Sequence, residues 1–323
     1  MSELGEKVRK SIERLKLFEP EDGYYLAFSG GKDSVTCKAL MEMAGVKYDA
    51  TYRVTSVDPP ELVRFIKDVH PDVRREVPRY SERSQYVKFR GKPITMWNLI
   101  PLKMMPPTRL ARYCCERLKE SGGDGRVTVT GVRWAESVNR KKNQGAVVIH
   151  GDFADDNLEG QESLFDEVDD DFEVNDRHGS LILTNDNEDN RRIVESCFRR
   201  RKTTVNPIIE WTDADVWDFI HTHTIPYCSL YDEGYKRLGC IGCPMAGTEG
   251  RLREFARWPK YEWHYRHAFE KMLELRRERF ANDPSKPVWR VKAKDNNDAT
   301  VEDVWRWWMD LPLDDPGGVS NEP

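Results

Sequence analysis

Residues 29–34 of this 323-residue chain combine glycines, hydroxyls and a lysine in one short segment. The segment reads Ser29-Gly30-Gly31-Lys32-Asp33-Ser34. Glycines let backbone N–H groups approach an anion, and a helix that begins at such a loop adds the positive end of its dipole. The two serine hydroxyls can donate hydrogen bonds, Lys32 can neutralise charge, and Asp33 can hold Mg²⁺ or a metal-bound water. We predict a phosphate-binding loop, with an unliganded glycine turn as the alternative.

The spacing of this glycine loop differs from the Walker pattern, which places four residues between its first glycine and Gly-Lys. The usual γ-phosphate-hydrolysing site is therefore not supported. Catalysis at such a loop consists of positioning and charge neutralisation, so Lys32 and Asp33 are candidate catalytic residues.

Four cysteines form the second pattern that can do chemistry. Cys114 and Cys115 are adjacent, and Cys240 and Cys243 form a CxxC pair far along the chain. Four thiolates are enough for a [4Fe–4S] cluster or a structural zinc ion, but adjacent cysteines are a poor zinc knuckle. A cluster, a zinc site and a redox or inert thiol set are the three interpretations.

The elements that must position these residues alternate between strand and helix. The first predicted strand, a short apolar and aromatic run, leads directly into the glycine loop, and a helix follows. The predicted strands are at 24–28, 48–57, 127–131 and 180–183, and the predicted helices are at 35–43, from 60 onward, at 109–120, from 212 onward and at 258–280. This alternation predicts an α/β fold, with an open, mostly parallel sheet, helices on both faces and a helical C-terminal region.

Bulk composition narrows the class of protein. The chain is 38% hydrophobic and 33% charged with a net charge of −5, and no run approaches the roughly 20 apolar residues of a membrane span. We expect a cytoplasmic protein that does not enter a membrane, because the N-terminus is charged and helical in pattern, unlike a signal peptide. Seven cysteines without an export signal favour reduced thiols. The charge gives no global attraction to nucleic acid.

The two patterns together resemble a known family. SGGKDS is similar to the PP-loop signature of ATP pyrophosphatases, which cleave between the α- and β-phosphates and form an adenylated intermediate. The CC plus CxxC arrangement resembles the cluster-binding set of the phosphoadenosine-phosphosulfate (PAPS) reductase family. Matching words are CCERLK at 114–119, GVRWAES at 131–137, NPIIEWTDADVW at 206–217 and LYDEGYKRLGCIGCP at 230–244. The resemblance spans roughly residues 20 to 247.

The resemblance implies ATP and Mg²⁺ at the glycine loop and a [4Fe–4S] cluster, less readily zinc, on the four cysteines. It implies an adenylating sulfurtransferase that releases pyrophosphate, with a sulfur donor such as a cysteine desulfurase and a nucleic-acid acceptor such as tRNA or DNA. Sulfonucleotide reductases carry a further nucleophilic cysteine in a Glu-Cys-Gly-Leu-His tail, and no cysteine follows Cys243. The alternatives are a sulfonucleotide reductase that uses an external thiol, and a non-catalytic nucleotide-binding subunit of a DNA-modification or defence complex.

Three other polar residues follow predicted strands, where open parallel sheets place ligand-binding groups. Asp58 resembles the family's acidic residue after the second strand, so we predict a nucleotide or metal contact, with a helix cap as the alternative. Arg133 and Arg140 follow the third strand, where their guanidinium groups can bind phosphate bidentately. Arg133 is also a candidate catalytic residue that Glu136 can orient. Surface ion pairs are the alternative for this group.

The predicted organisation is linear. We expect an N-terminal helix at 1–20, a PAPS reductase-like PP-loop domain at 21–247 with an acidic insertion at about 151–178, and a helical C-terminal extension at 248–323. A basic run at 199–202 is either an acceptor contact or a solvated face. Cys37, Cys197 and Cys228 are left over; Cys37 is expected to pack as a small apolar residue, and Cys228 either packs in the same way or lies near the cluster.

Overall fold

The computed structural model of the chain describes residues 2–150, 172–175, 180–184, 186, 202–283, 286–291 and 294–312. It divides into two compact units built from interleaved segments, Met1–Arg53, Pro60–Glu76 and Ser121–Leu238 in the first and Val54–Pro59, Val77–Glu120 and Gly239–Pro323 in the second. The linear boundaries stay a prediction. The acidic insertion, apart from 172–175, lies outside the described residues, as do Cys197 and residues 199–201 of the basic run.

Within the described residues, one sheet of eight strands organises the first unit. The strands are β1 Tyr24–Ala27, β2 Tyr48–Arg53, β3 Arg74–Glu76, β4 Thr128–Val129, β5 Val147–Ile149, β6 Phe172–Asn175, β7 Ser180–Leu183 and β8 Thr203–Val205. Their order is β3-β2-β1-β4-β8-β5-β7-β6. The first five strands in this order pair in parallel, and β5, β7 and β6 continue the sheet by antiparallel pairing. The open, mostly parallel sheet is confirmed.

Strand β1 lies between β2 and β4, with Leu26 opposite Ala50 on one side and Val129 on the other. From β1 the chain winds outward to β2 and β3 and then returns to the other side of β1 for β4. Ligands of open α/β sheets bind outside the carboxyl ends of strands at such a reversal. The loops after β1 and β4 begin there, and they carry the glycine loop and Arg133.

The helices confirm most of the predicted segments. They are α1 Glu3–Leu17, α2 Lys32–Ala44, α3 Pro60–Val69, α4 Met96–Lys103, α5 Tyr113–Leu118, α6 Val138–Asn143, α7 Asp213–Thr222, α8 Gly247–Arg257, α9 Pro259–Phe280 and α10 Val301–Trp308. In the first unit α2 packs against α1 and α7. None of the described helices is long and apolar enough to cross a bilayer.

Two of these helices test the predicted boundaries. The helix expected at 109–120 covers only α5, because Thr108 and Ala111 form a turn in which the N–H of Thr108 donates to Ala111 O and the N–H of Ala111 donates to the Thr108 hydroxyl. Helix α7 begins as predicted, with a reciprocal capping box between Thr212 and Asp215.

The second unit is mainly helical and has an aromatic core. Helix α9 packs against α4, α8 and α10. A small antiparallel pair, β9 Trp289–Val291 and β10 Lys294–Asn296, precedes α10. Trp305 and Trp308 are each 4% exposed and belong to this core, whereas Trp307 is half-buried. The predicted C-terminal helices are thus present.

Candidate functional site

The glycine loop packs tightly against α3. Gly30 has φ +74°, and a Cβ added there would lie 2.8 Å from side-chain carbons of Ile66 and Leu62. Any other residue at this position would be strained and would collide with α3. Gly31 has φ −76° and forms the N-cap of α2, with no side-chain cap hydrogen bond. Gly31 therefore places no side chain of its own over the N–H groups at the start of α2, as a phosphate-binding loop requires.

The two loop serines hold the loop closed. The Ser29 N–H donates to Ser34 Oγ at 3.2 Å, and the Ser34 hydroxyl donates to Gly31 O at 2.9 Å. The two hydroxyl oxygens are 3.2 Å apart. Ser34 therefore orders the loop backbone, and Ser29 shares its hydroxyl with this network.

Tyr231 occupies the first N–H of α2. Its phenol oxygen accepts the Lys32 N–H at 2.9 Å, and a Cβ on Gly31 would lie 3.4 Å from the same oxygen. Burial raises the pKa of Tyr231 well above its ordinary value, so the phenol remains protonated. A phosphate at this N–H would have to displace the phenol or accept a hydrogen bond from it. Sequence reasoning quoted Tyr231 only as part of a matching word.

Four charged residues meet beside the loop, Lys32, Asp33, Arg133 and Asp213, which we term the charge cluster. Lys32 Nζ lies 3.2 Å from Asp33 and 3.1 Å from Asp213. Arg133 donates from Nε to Asp33 at 2.8 Å and from Nη2 to Asp213 at 2.6 Å. The structure thus brings three predicted residues, Lys32, Asp33 and Arg133, together. It adds Asp213, which the sequence reasoning missed.

Asp213 is the most exposed of the four residues in the charge cluster. Its side chain is 67% exposed, whereas those of Lys32 and Arg133 are 6% and 3% exposed. Burial opposes ionisation of Asp213, but hydrogen bonds from Arg133 and Lys32 outweigh it, so its pKa lies below the ordinary value. Lys32 and Arg133 are thus buried cations that pair with a largely exposed carboxylate. In the sequence, Asp213 is one of two acidic residues in the first turn of a predicted helix, where either can complement the helix dipole.

Asp33 is fixed more firmly than Asp213. A Cβ on Gly131 would lie 2.8 Å from the Asp33 Cβ, so the loop after β4 can approach Asp33 only because residue 131 is glycine. This close approach brings Arg133, two residues later, into line with the carboxylate.

The remaining predicted polar residues lie elsewhere. Arg140 forms an ion pair with Glu136, while Arg133 is oriented by the two aspartates of the charge cluster. Asp58 belongs to the second unit, where its carboxylate accepts the Thr55 N–H at 3.0 Å. Ligand contacts of Arg140 and Asp58 stay predictions.

The four predicted metal-binding cysteines all lie in the second unit and influence one another electrostatically. We term Cys114, Cys115, Cys240 and Cys243 the thiol set. Helix α5 carries the first pair, and a turn before α8 carries the second, with the Cys243 N–H donating to Cys240 O at 3.2 Å. The fold therefore brings together two pairs that are separated by more than 100 residues in the sequence.

Two basic side chains favour thiolates in the thiol set. A hydrogen bond shared with Cys114, assisted by Arg112, lowers the pKa of Cys115 to about 5 and raises that of Cys114. Arg112 Nη2 is 3.4 Å from Cys115 Sγ. Burial raises the pKa of Cys240 to about 11, against the opposing charge of Lys119, and Cys240 in turn raises the pKa of Lys119. Lys119 and Arg112 therefore supply positive charge where several thiolates would otherwise repel.

The thiol set is the candidate metal site of the second unit. Among the residues that the structure describes, no three His, Cys, Asp or Glu side chains converge closely enough to hold one metal ion. A tetrahedral zinc site needs all four ligands within about 2.3 Å of one ion. A [4Fe–4S] cluster binds cysteines on separate irons, so it accepts a wider set of thiolates. The four thiols are soft donors of the kind that iron–sulfur clusters and zinc use.

The turn that carries the CxxC pair packs against helices α8 and α9 and forms hydrogen bonds with them. Gly242 has φ +73°, and a Cβ there would lie 2.7 Å from Phe255 and 2.9 Å from Tyr265. The Gly242 N–H donates to Glu254 Oε2 at 2.7 Å, and the Tyr265 hydroxyl donates to Ile241 O at 2.9 Å. Burial raises the pKa of Glu254 to about 7. Sequence reasoning did not single out Glu254 or Tyr265, because neither belongs to a motif.

Two of the other cysteines are buried, as expected. Cys37 is fully buried, and burial raises its pKa. Cys228 is 1% exposed, and burial raises its pKa as well. Both pack as small apolar side chains.

Known proteins of similar sequence include adenosine 5'-phosphosulfate reductases. Adenosine 5'-phosphosulfate reductase of Staphylococcus haemolyticus is 32% identical over 73 residues, which are 23% of this chain and 30% of the relative. The Allochromatium vinosum enzyme of the same name is 39% identical over 54 residues, 17% of this chain and 21% of the relative. The chain thus spans less than a third of the length of these curated relatives.

A solved structure and a family model extend the comparison. The crystal structure of phosphoadenylyl-sulfate (PAPS) reductase from Candida auris in a phosphate complex is 14% identical, covering 74% of this chain and 96% of the other at a TM-score of 0.38. The phosphoadenosine phosphosulfate reductase domain model matches residues 23–246, more than two thirds of the chain. The chain therefore belongs to the phosphoadenosine phosphosulfate reductase domain family.

Proposed function

We propose that the protein is an ATP-dependent adenylating enzyme that releases pyrophosphate and prepares an acceptor for sulfur transfer. The observation that carries this proposal is the charge cluster at the start of α2. Lys32 and Arg133 are buried, face one loop and are balanced by carboxylates that a polyphosphate can replace. An ATP pyrophosphate group suits this loop better than a sulfonucleotide, which has no β-phosphate.

In the proposed first step an acceptor oxygen attacks the α-phosphorus, the bond to the β-phosphate oxygen breaks, and pyrophosphate leaves. Lys32 and Arg133 would stabilise charge on the phosphates once Asp213 has moved aside, and the loop N–H groups would position them. Mg²⁺, held by Asp33 or Asp213, would supply further charge neutralisation.

The proposed second step replaces AMP by sulfur. A persulfide on a sulfur donor, such as a cysteine desulfurase, would attack the activated acceptor, AMP would leave, and a second thiol would release the product as a disulfide is formed. Cys114, Cys115, Cys240 and Cys243 would hold a [4Fe–4S] cluster, which would supply redox or sulfur-binding chemistry. Arg112 and Lys119 would offset its negative charge.

The test is incubation of the purified protein with α- and γ-labelled ATP, Mg²⁺ and bulk tRNA or DNA as acceptor. We expect labelled pyrophosphate and an AMP-bearing product. Lys32→Ala should lower the rate by about 100-fold or more, because one preorganised charge is lost. Lys47→Ala removes an exposed lysine in the same unit and is the matched control. Orthophosphate in place of pyrophosphate would overturn the proposal.

A second candidate is a sulfonucleotide reductase. The relatives from Staphylococcus haemolyticus and Allochromatium vinosum, both named adenosine 5'-phosphosulfate reductase, favour it. An external thiolate would attack the sulfur of the sulfonucleotide, the nucleotide would leave, and a second thiol would release sulfite from the thiosulfonate as a disulfide forms. Sulfite release from phosphoadenosine phosphosulfate or adenosine phosphosulfate with dithiothreitol or thioredoxin would favour this candidate. Binding of ATP without any product would favour a non-catalytic subunit.

A further inference from the structure

A cavity of about 820 Å³ lies in the second unit, next to the CxxC turn. It is lined by residues 107–110, by Pro244, which follows Cys243, and by Arg251, Trp307, Trp308 and residues 310–312. Cavities of this size hold small molecules or single residues of a polymer. Arg251 and residues 307–312 lie beyond residues 23–246, so the family domain alone does not form this cavity.

The two arginines of the cavity have different roles. Arg251 is 1% exposed, and its guanidinium group donates to Gly247 O, to Trp308 O and to Asp310 Oδ2, the last at 2.8 Å. These hydrogen bonds occupy the Arg251 guanidinium group, which therefore stabilises the residues that line the cavity. Arg109 is exposed, and its Nε donates to Pro244 O at 3.1 Å. Among the described residues, no carboxylate forms an ion pair with Arg109. Arg109 therefore presents an available positive charge.

Trp307 supplies an aromatic wall. Trp308 is buried against Phe255, Tyr265 and Arg251, whereas Trp307 is half-buried and contacts Trp289 edge to face at 5.1 Å. Trp307 also lines the cavity, as does Leu110, whose side chain is 98% exposed. An aromatic surface beside an available arginine is the combination that binds unpaired bases and their phosphates.

The charged residues that line the cavity are Arg109, Arg251 and Asp310. Arg251 and Asp310 pair with each other at 2.8 Å, so Arg109 gives the lining a net positive charge. A phosphate is attracted to such a charge even on a chain whose net charge is −5.

We propose that this cavity binds one nucleotide of a single-stranded nucleic acid, with its base against Trp307 and its phosphate at Arg109. This inference rests on the proposed function, because it takes the nucleic acid to be the acceptor for sulfur. Since Pro244 directly follows Cys243, the bound nucleotide would lie beside the thiol set. Leu110 and Arg109 are exposed, so the strand can continue out of the cavity at that edge.

The experiment measures fluorescence anisotropy of labelled 12-nucleotide single-stranded DNA and RNA with the full chain, without ATP, over a series of salt concentrations. Trp307→Ala should weaken binding at least about fivefold, because one base loses its stacking partner. Arg109→Gln should reduce the slope of log K against log salt by about 0.7, the value for one lost phosphate contact on a single strand. Arg109→Lys should restore the slope, and Trp307→Phe should restore most of the affinity.

The controls separate binding from folding and from nucleotide chemistry. Arg83→Gln removes an exposed arginine of the same unit that does not line the cavity, and it should bind like the unmodified chain. Binding of labelled ATP should be unchanged in every variant. The inference is overturned if single strands do not bind, if duplex binds more tightly, or if Trp307→Ala and Arg109→Gln bind like Arg83→Gln. Pyrophosphate release without strand binding would overturn this inference alone, and strand binding without pyrophosphate release would overturn the proposed function alone.

Discussion

Replacing Glu254 by glutamine should change how the stability of the second unit depends on pH. Glu254 accepts the Gly242 N–H in the turn that carries two cysteines of the thiol set, and burial raises its pKa from 4.5 to about 7. A raised carboxyl pKa means that the folded state holds the proton more tightly than the unfolded state. The stabilisation is complete below about pH 4.5 and is lost as the pH rises through about 7.

The size of the effect follows from these two pKa values. One pKa unit corresponds to about 1.4 kcal/mol, so ionisation of Glu254 should remove about 3 kcal/mol of unfolding free energy from the unmodified protein by about pH 8. Glutamine keeps an oxygen acceptor for the Gly242 N–H but has no charge to bury. Glu254→Gln should therefore be more stable than the unmodified protein at about pH 8 by up to about 3 kcal/mol, and within about 1 kcal/mol of it at about pH 5.

Urea unfolding followed by tryptophan fluorescence is the suitable assay, because seven of the ten tryptophans belong to the second unit. Glu249→Gln, which removes an exposed carboxylate from the same helix α8, is the matched control. An identical stability difference between Glu254→Gln and the unmodified protein at both pH values would refute the reasoning, since burial of a charge would then not be involved.

Three further outcomes are expected. Gly30→Ala should abolish ATP binding and lower stability by more than about 1 kcal/mol, measured by filter binding and thermal unfolding, because a Cβ at φ +74° would collide with α3; an unchanged ATP affinity would contradict this. Tyr231→Phe should cost about 1 kcal/mol in urea unfolding, because the Lys32 N–H loses its acceptor, and should leave pyrophosphate binding intact or tighter; weaker pyrophosphate binding would show that the phenol assists the anion. Anaerobically purified protein should be brown, with about four irons per chain. Replacing any cysteine of the thiol set by serine should abolish the colour, whereas Cys37→Ser should retain it. A colourless preparation with one zinc per chain would contradict the cluster.

Local signals in the sequence determined where several strands and helices begin and which residue types the sites contain. The run before the glycine loop, the glycines themselves and the capping box at Thr212 act over a few residues, so their outcome follows from local sterics and hydrogen bonding. Strand β1, helix α2 and helix α7 begin within about three residues of the predicted positions for this reason. The antiparallel extension by β5 and β7 was not predicted, since strand direction depends on connections across the whole sheet.

Tertiary structure alone decided which side chains meet. Asp213 pairs with Arg133 across 80 residues, and Tyr231 reaches Lys32 across 199, distances over which no periodic pattern carries information. Sequence could propose Arg133 from its place after a strand, but its partners, two aspartates and not Glu136, are set by the packing of α2 and α7. The same holds for the cavity beside the CxxC turn, where Trp307 is the half-buried member of a tryptophan group whose other members are buried. The sequence determines the types of group available, and the fold determines which of them remain accessible, because burial and pairing are properties of contacts between distant segments.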